Sequence, residues 1–136
     1  MQVRNKVGLQ PVHVAAQNDQ AFALTFLKEN GADMDCVDIE GQTPLHWACY
    51  QGADESIYYI LAWTKALNLQ DSQGKTALHL AVENVHRFRN LRALKEMLIK
   101  GSSRDLEDSR GRRPIDMVAH YLDADLKDDL YSILGP

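Results

Sequence analysis

An acidic or amide residue followed three positions later by glycine occurs four times along this chain: NKVG ending at Gly8, DIEG at Gly41, DSQG at Gly74 and DSRG at Gly111. The glycines lie 33, 33 and 37 residues apart, and each is followed by the same kind of segment: LQPVHVAA, QTPLHWAC, KTALHLAV and RRPIDMVA. In a chain of 136 residues this period restricts the fold to a row of like units. One unit alone leaves an apolar face that only its neighbours can cover.

The second unit shows what each is built from. Thr43 can cap a helix with its side-chain oxygen, and Pro44 suits the first helical position, where a missing N–H costs nothing. Leu45, Ala48 and Cys49 make a face of small residues that lets a second helix approach. That second helix reads ESIYYILAW here, AFALTFLKE in the unit before and LRALKEMLI in the unit after. Gly31 and Gly101 stand where such helices end, with Thr64 at the same place in the second unit. Gly41 and its equivalents suit the tight turn after the Asx residue.

The repeat resembles the ankyrin family, whose unit of about 33 residues contains T-P-L-H-x-A. TPLHWA (43–48) matches in full, TALHLA (76–81) departs at Ala77, and QPVHVA (10–15) keeps Pro11 and His13. RPIDMV (113–118) is degenerate, as suits a terminal cap, and the likeness runs from about Asn5 to Leu134. It implies an all-α fold: an ankyrin-repeat solenoid of stacked helix-turn-helix units with short hairpin turns and no extended sheet. The expected units are about 5–37, 38–70, 71–107 and 108–134, within a single domain, 1–136. The chain begins inside a unit, since Asn5 matches the loop aspartate that ends the preceding repeat in the others, and no polar cap precedes the first unit. The chain therefore reads as a piece of a longer protein, with Val12, Val14 and Leu24 partly bare. Near the other end, Asp123, Asp125, Asp128 and Asp129 alternate with Leu122, Leu126, Leu130 and Ile133, the pattern of an amphipathic helix with a solvated outer face.

His46 and Cys49 sit three residues apart, as a base and a nucleophile would. Yet His13, His46 and His79 hold one place in three units, with Asp116 in the fourth, and a scaffold part recurs where a catalytic group would not. The resemblance implies that this histidine bonds the capping threonine and nearby backbone. No activating constellation accompanies Cys49, and Cys36, Cys49 and the histidines lack the close spacing of a zinc site. No glycine-rich phosphate loop is present, so neither catalysis nor a cofactor is expected. The net charge of −4 supplies no basic excess for nucleic acid, and no apolar run reaches the roughly 20 residues of a membrane span. The N-terminus lacks a signal-peptide core, and two cysteines fit a reducing compartment. The expected location is cytoplasmic or cytosol-facing, with the nucleus open.

The resemblance places function on the concave surface formed by the turn tips and first helices, with a protein or an extended peptide as partner to a monomer. The tip positions are Ile39, Glu40 and Gln42, then Ser72, Gln73 and Lys75, then Ser109, Arg110 and Arg112. The first-helix positions are Gln17 and Asn18, Tyr50 and Gln51, Glu83 and Asn84, and His120 and Tyr121. Trp47 either fills space between helices or lines the groove; beside the better-placed Tyr50 it is the expected hot spot. The four extra residues of the third unit fall in ENVHRFRNLR, where Arg87, Arg89 and Arg92 bracket Phe88. That segment is either an extended turn or a second surface for an acidic or phosphorylated partner. Two other roles fit the repeat: a recruiting domain of a larger enzyme, such as the ankyrin-bearing DHHC palmitoyltransferases it is similar to, or a rigid spacer.

Overall fold

The computed structural model describes residues 9–88, 91–120 and 124–134. Among them the order is α1 (Pro11–Gln17), α2 (Ala21–Glu29), α3 (Pro44–Gln51), α4 (Asp54–Trp63), α5 (Ala77–Phe88), α6 (Leu91–Lys100), a 3₁₀ segment (Pro114–His120) and α7 (Ala124–Leu134), with no strand. The all-α expectation holds. Each first helix packs on its own second helix, as α1 does on α2 and α3 on α4. The first helices also pack on one another, α1 on α3, α3 on α5 and α5 on the 3₁₀ segment. A second row, α2 on α4 and α4 on α6, lies behind them.

Small residues permit the close approach of the first row: Ala15, Ala16, Ala48, Cys49 and Val82 are all buried. Leu24, Ile57, Ile60, Leu94 and Met97 close the core from the second row. The expected bareness of the first unit is corrected here. Val12 and Leu24 are buried, because α2 lays Leu24 against its own α1 and the next unit. Val14 is 40% exposed, but the barest side chains are Phe22 at 89% and Phe26 at 60%.

Helix ends follow local chemistry. Gly52 ends α3 in the left-handed region, at φ 67°. Asp19, at the matching place after α1, takes φ 55°, costly for a residue with a side chain. Its carboxylate offsets that cost by accepting the Ser56 N–H (2.9 Å) in the first turn of α4. At the end of α4, Thr64 stays extended and donates its hydroxyl to Asp35 of the preceding loop. In α7, Leu126, Leu130 and Leu134 are buried while Asp125, Asp128 and Asp129 are exposed.

Candidate functional site

Three histidines set the position of the tips. His46 Nδ1 accepts the Thr43 N–H (3.1 Å) and lies 2.8 Å from Thr43 Oγ1, which itself accepts the His46 N–H. With Nδ1 an acceptor, the proton sits on Nε2, which donates to the Lys75 carbonyl of the next tip (3.0 Å). His79 repeats this with Thr76 and the Arg112 carbonyl (2.8 Å), and His13 reaches the Gln42 carbonyl (3.0 Å). Each ring thus ties a helix start to the following tip. Asp116 accepts the Arg113 N–H (2.8 Å) as the ring's near nitrogen would. A carboxylate has no far N–H to extend the ladder, and in this unit the first helix tightens to 3₁₀.

Each of the three described tips is an Asx turn. One oxygen of Asp38 accepts the Glu40 and Gln42 N–H groups, one of Asp71 those of Gln73 and Lys75, and one of Asp108 those of Arg110 and Arg112. Neighbouring tips are joined by Ser72 N–H to Glu40 O and Ser109 N–H to Gln73 O, both 2.8 Å. The second carboxylate oxygen differs in each turn. That of Asp38 accepts the Trp47 indole N–H (2.9 Å), that of Asp71 the Gln42 side-chain amide (3.2 Å), and that of Asp108 the Arg112 guanidinium (3.0 Å). Burial works to raise the pKa of Asp108, but the two backbone N–H groups and the Arg112 guanidinium outweigh it and hold the carboxyl below its usual range.

This arrangement decides how each expected site residue is presented. Trp47 is half-buried, pinned through its N–H, with its ring meeting Tyr50 edge to face at 6.4 Å between centroids. Tyr50 is 44% exposed and Ile39 70%. Gln51 is half-buried, as is Glu83, which receives Lys75 Nζ at 2.9 Å. Glu40 accepts the Ser72 hydroxyl, and Gln73 and Arg110 are exposed. Asn84 departs from expectation: it is buried, donates to the Leu80 carbonyl (2.9 Å), and lends the groove no surface. At the place of Trp47, the third and fourth units carry Leu80 and Met117, both turned inward. In the insertion, Arg92 is exposed; the side chains of Arg87, Phe88 and His120, and all of Arg89 and Tyr121, lie outside the described residues.

The His46–Cys49 pair has no shared chemistry. Both His46 nitrogens are engaged elsewhere, and burial, only partly opposed by the Lys75 carbonyl and the charges of Asp71 and Asp38, lowers its pKa. Burial, and then the charge of Asp54, pushes the Cys49 thiol far up, away from the nucleophilic thiolate. Its thiol faces Met97 Sδ at 3.6 Å, in a core whose small neighbouring cavity, about 20 Å³, has room for little more than a water.

One exposed feature escaped the sequence reading. Phe22 and Phe26 stand four apart on the outer side of α2, opposite buried Leu24. On α4, Tyr59 and Trp63 lie 5.7 Å apart with Lys28 Nζ over the Trp63 ring at 5.5 Å. The i, i+4 spacing of the two phenylalanines was the available signal.

The family model described as ankyrin repeats (3 copies) matches residues 12–108. Putative palmitoyltransferase ZDHHC13 of Danio rerio is 30% identical over 119 residues, covering 87% of this chain and 18% of its own length. Probable protein S-acyltransferase 23 of Arabidopsis thaliana is 41% identical over 66 residues, 48% of this chain and 12% of its own length. B-cell lymphoma 3 protein homolog of Mus musculus is 37% identical over 82 residues, 60% of this chain and 18% of its own length. The chain thus spans less than a fifth of each of these relatives. Among the described residues no helix is long and apolar enough to cross a membrane.

Proposed function

Since this chain belongs to the ankyrin-repeat family, whose members generally serve protein interaction, we propose that it is a non-catalytic module binding an extended protein segment along its tips and first helices. The observation that carries this reading is the Asp38–Trp47 bond. An indole whose only polar atom is satisfied by a buried aspartate is held in one orientation, so little side-chain entropy remains to be lost on binding. With Tyr50 against its edge and Ile39 bare on the adjacent tip, it forms an aromatic anchor of the kind that dominates binding energy. Gln51, Glu83, Gln73 and Lys75 continue the surface with polar groups. The repeats, about 5–37, 38–70, 71–107 and 108–134, act as one monomeric unit of a longer, cytosol-facing protein.

The test is selection of a random peptide display library on the chain and on a Trp47→Ala, Tyr50→Ala variant whose helicity is checked by circular dichroism. A sequence motif enriched by the first and lost by the second is expected. A motif retained by the folded variant would overturn the reading, and no enrichment by either protein would favour a rigid spacer. A second reading draws on two of the relatives, which are named as a palmitoyltransferase and an S-acyltransferase. On that reading the module recruits substrates to a membrane enzyme encoded by the same gene. Flanking sequence with several apolar spans and a cysteine-rich DHHC segment is its expected outcome; flanks without them contradict it.

A further inference from the structure

The three equivalent tips change character along the row. The position held by Glu40 in the second unit is Gln73 in the third and Arg110 in the fourth. The position of Gln42 becomes Lys75 and then Arg112, and that of bare Ile39 becomes Ser72 and Ser109. The row therefore runs from an apolar and acidic end to a cationic one, in a chain whose net charge is −4.

The cationic end is shaped as well as charged. An open notch of about 410 Å³ between the third and fourth tips is lined by Gln73, Lys75, Glu83, Asp108, Ser109, Arg110 and Arg112. Its two carboxylates are already engaged, Glu83 with Lys75 at 2.9 Å and Asp108 with Arg112 at 3.0 Å. Asp108 also accepts two backbone N–H groups, and its carboxylate is buried. Among the described residues the Arg110 guanidinium, the Ser109 hydroxyl and the Gln73 side-chain amide make no hydrogen bond. A guanidinium, a hydroxyl and an amide N–H around one space call for an acceptor with two oxygens; with Lys75 and Arg112 matched by Glu83 and Asp108, the Arg110 guanidinium supplies the net positive charge of the notch.

We propose that this notch takes an aspartate or glutamate side chain of the bound segment, so that the groove reads its ligand in one direction. The apolar end of the segment lies on Ile39, Trp47 and Tyr50, and the carboxylate lies on Arg110. Glu40 disfavours the reverse orientation, which would bring the acid beside a like charge. Trp47 and Arg110 belong to units two apart. At the 8–10 Å spacing of packed helices, and about 3.3 Å per extended residue, the apolar anchor and the acid are separated by about five or six residues. This inference rests on the groove reading above and adds the chemistry and direction of the ligand.

The test uses the same random peptide library, selected on the unaltered chain, on Arg110→Ala and on Arg110→Glu. The unaltered chain is expected to enrich peptides with an apolar residue and an Asp or Glu at that separation. Arg110→Ala should keep the apolar preference and lose the acidic one, weakening a selected peptide on the order of tenfold. Arg110→Glu should favour Lys or Arg at the acidic position. An enriched motif without an acid, or an acidic preference that survives both substitutions, overturns the inference while leaving the groove reading standing. Enrichment of nothing by any of the three proteins overturns both.

Discussion

The turns at Asp38 and Asp108 are the first and last of the three described tips and share one skeleton. In each, a single oxygen accepts two backbone N–H groups and a glycine takes φ 74°. They differ in the second oxygen, which holds an indole at one end and a guanidinium at the other. The same backbone device thus pins an indole in one unit and pairs a cation in another. In a repeat protein, architecture recurs with the period, whereas recognition resides in the atoms the period leaves uncommitted.

The sharpest way to break the shared skeleton is to remove a rung of its ladder. His46→Ala leaves the Thr43 N–H and the Lys75 carbonyl without partners in a buried place, which should cost about 3 kcal/mol in urea unfolding. The pH dependence follows with a definite sign. Burial puts the folded pKa of His46 below its ordinary 6.5, so the unfolded chain protonates first. This residue's contribution is complete above about pH 6.5 and is lost as pH falls from there toward the folded value; unfolding midpoints between pH 8 and 5 should show a decline that His46→Ala reduces.

The tips themselves are not equally tolerant. A Cβ on Gly74 would meet Ser109 N at 2.8 Å and the Asp108 carbonyl carbon at 3.0 Å, whereas one on Gly111 meets nothing within 4 Å. Both glycines have positive φ, so Gly111→Ala should cost about 1 kcal/mol, and Gly74→Ala about 2–3 kcal/mol because the next tip must also shift. Equal losses in urea unfolding would show that close approach of the tips contributes nothing. The smallest effect isolates the difference between the two ends. Asp38→Asn turns an amide N–H toward the Trp47 N–H and should cost about 1 kcal/mol while altering tryptophan emission. Asp108→Asn should leave that emission unchanged.

Much of the scaffold was legible because it recurs: the glycine period and the Asx turn are visible in DIEG, DSQG and DSRG, and the histidine holds one place in three of the four units. What occurs once was not legible. Nothing in the order of residues says that Asp38 reaches Trp47, nine positions on, while the equivalent Leu80 and Met117 turn inward. Asn84 occupies the position of exposed Asn18 and half-buried Gln51, but its amide folds back onto Leu80 O. The 3₁₀ turn of the fourth unit is a smaller surprise, since Asp116 announced the loss of the ladder without saying how the helix would respond. Val12, Val14 and Leu24 were expected to be partly bare for want of a preceding unit; Val14 is, but Val12 and Leu24 take their contacts from their own helix pair and from the unit that follows.

On the proposed function, partners bind the tips and first helices and not the aromatic outer side of α2 and α4. Amide chemical-shift mapping with a display-selected peptide tests this most directly. The account predicts that the Trp47 indole N–H and the amides of 38–51, 71–75 and 108–112 shift on titration, while those around Phe22, Phe26 and Tyr59 stay in place. Shifts confined to α2 and α4, with the Trp47 resonance unmoved, would contradict it.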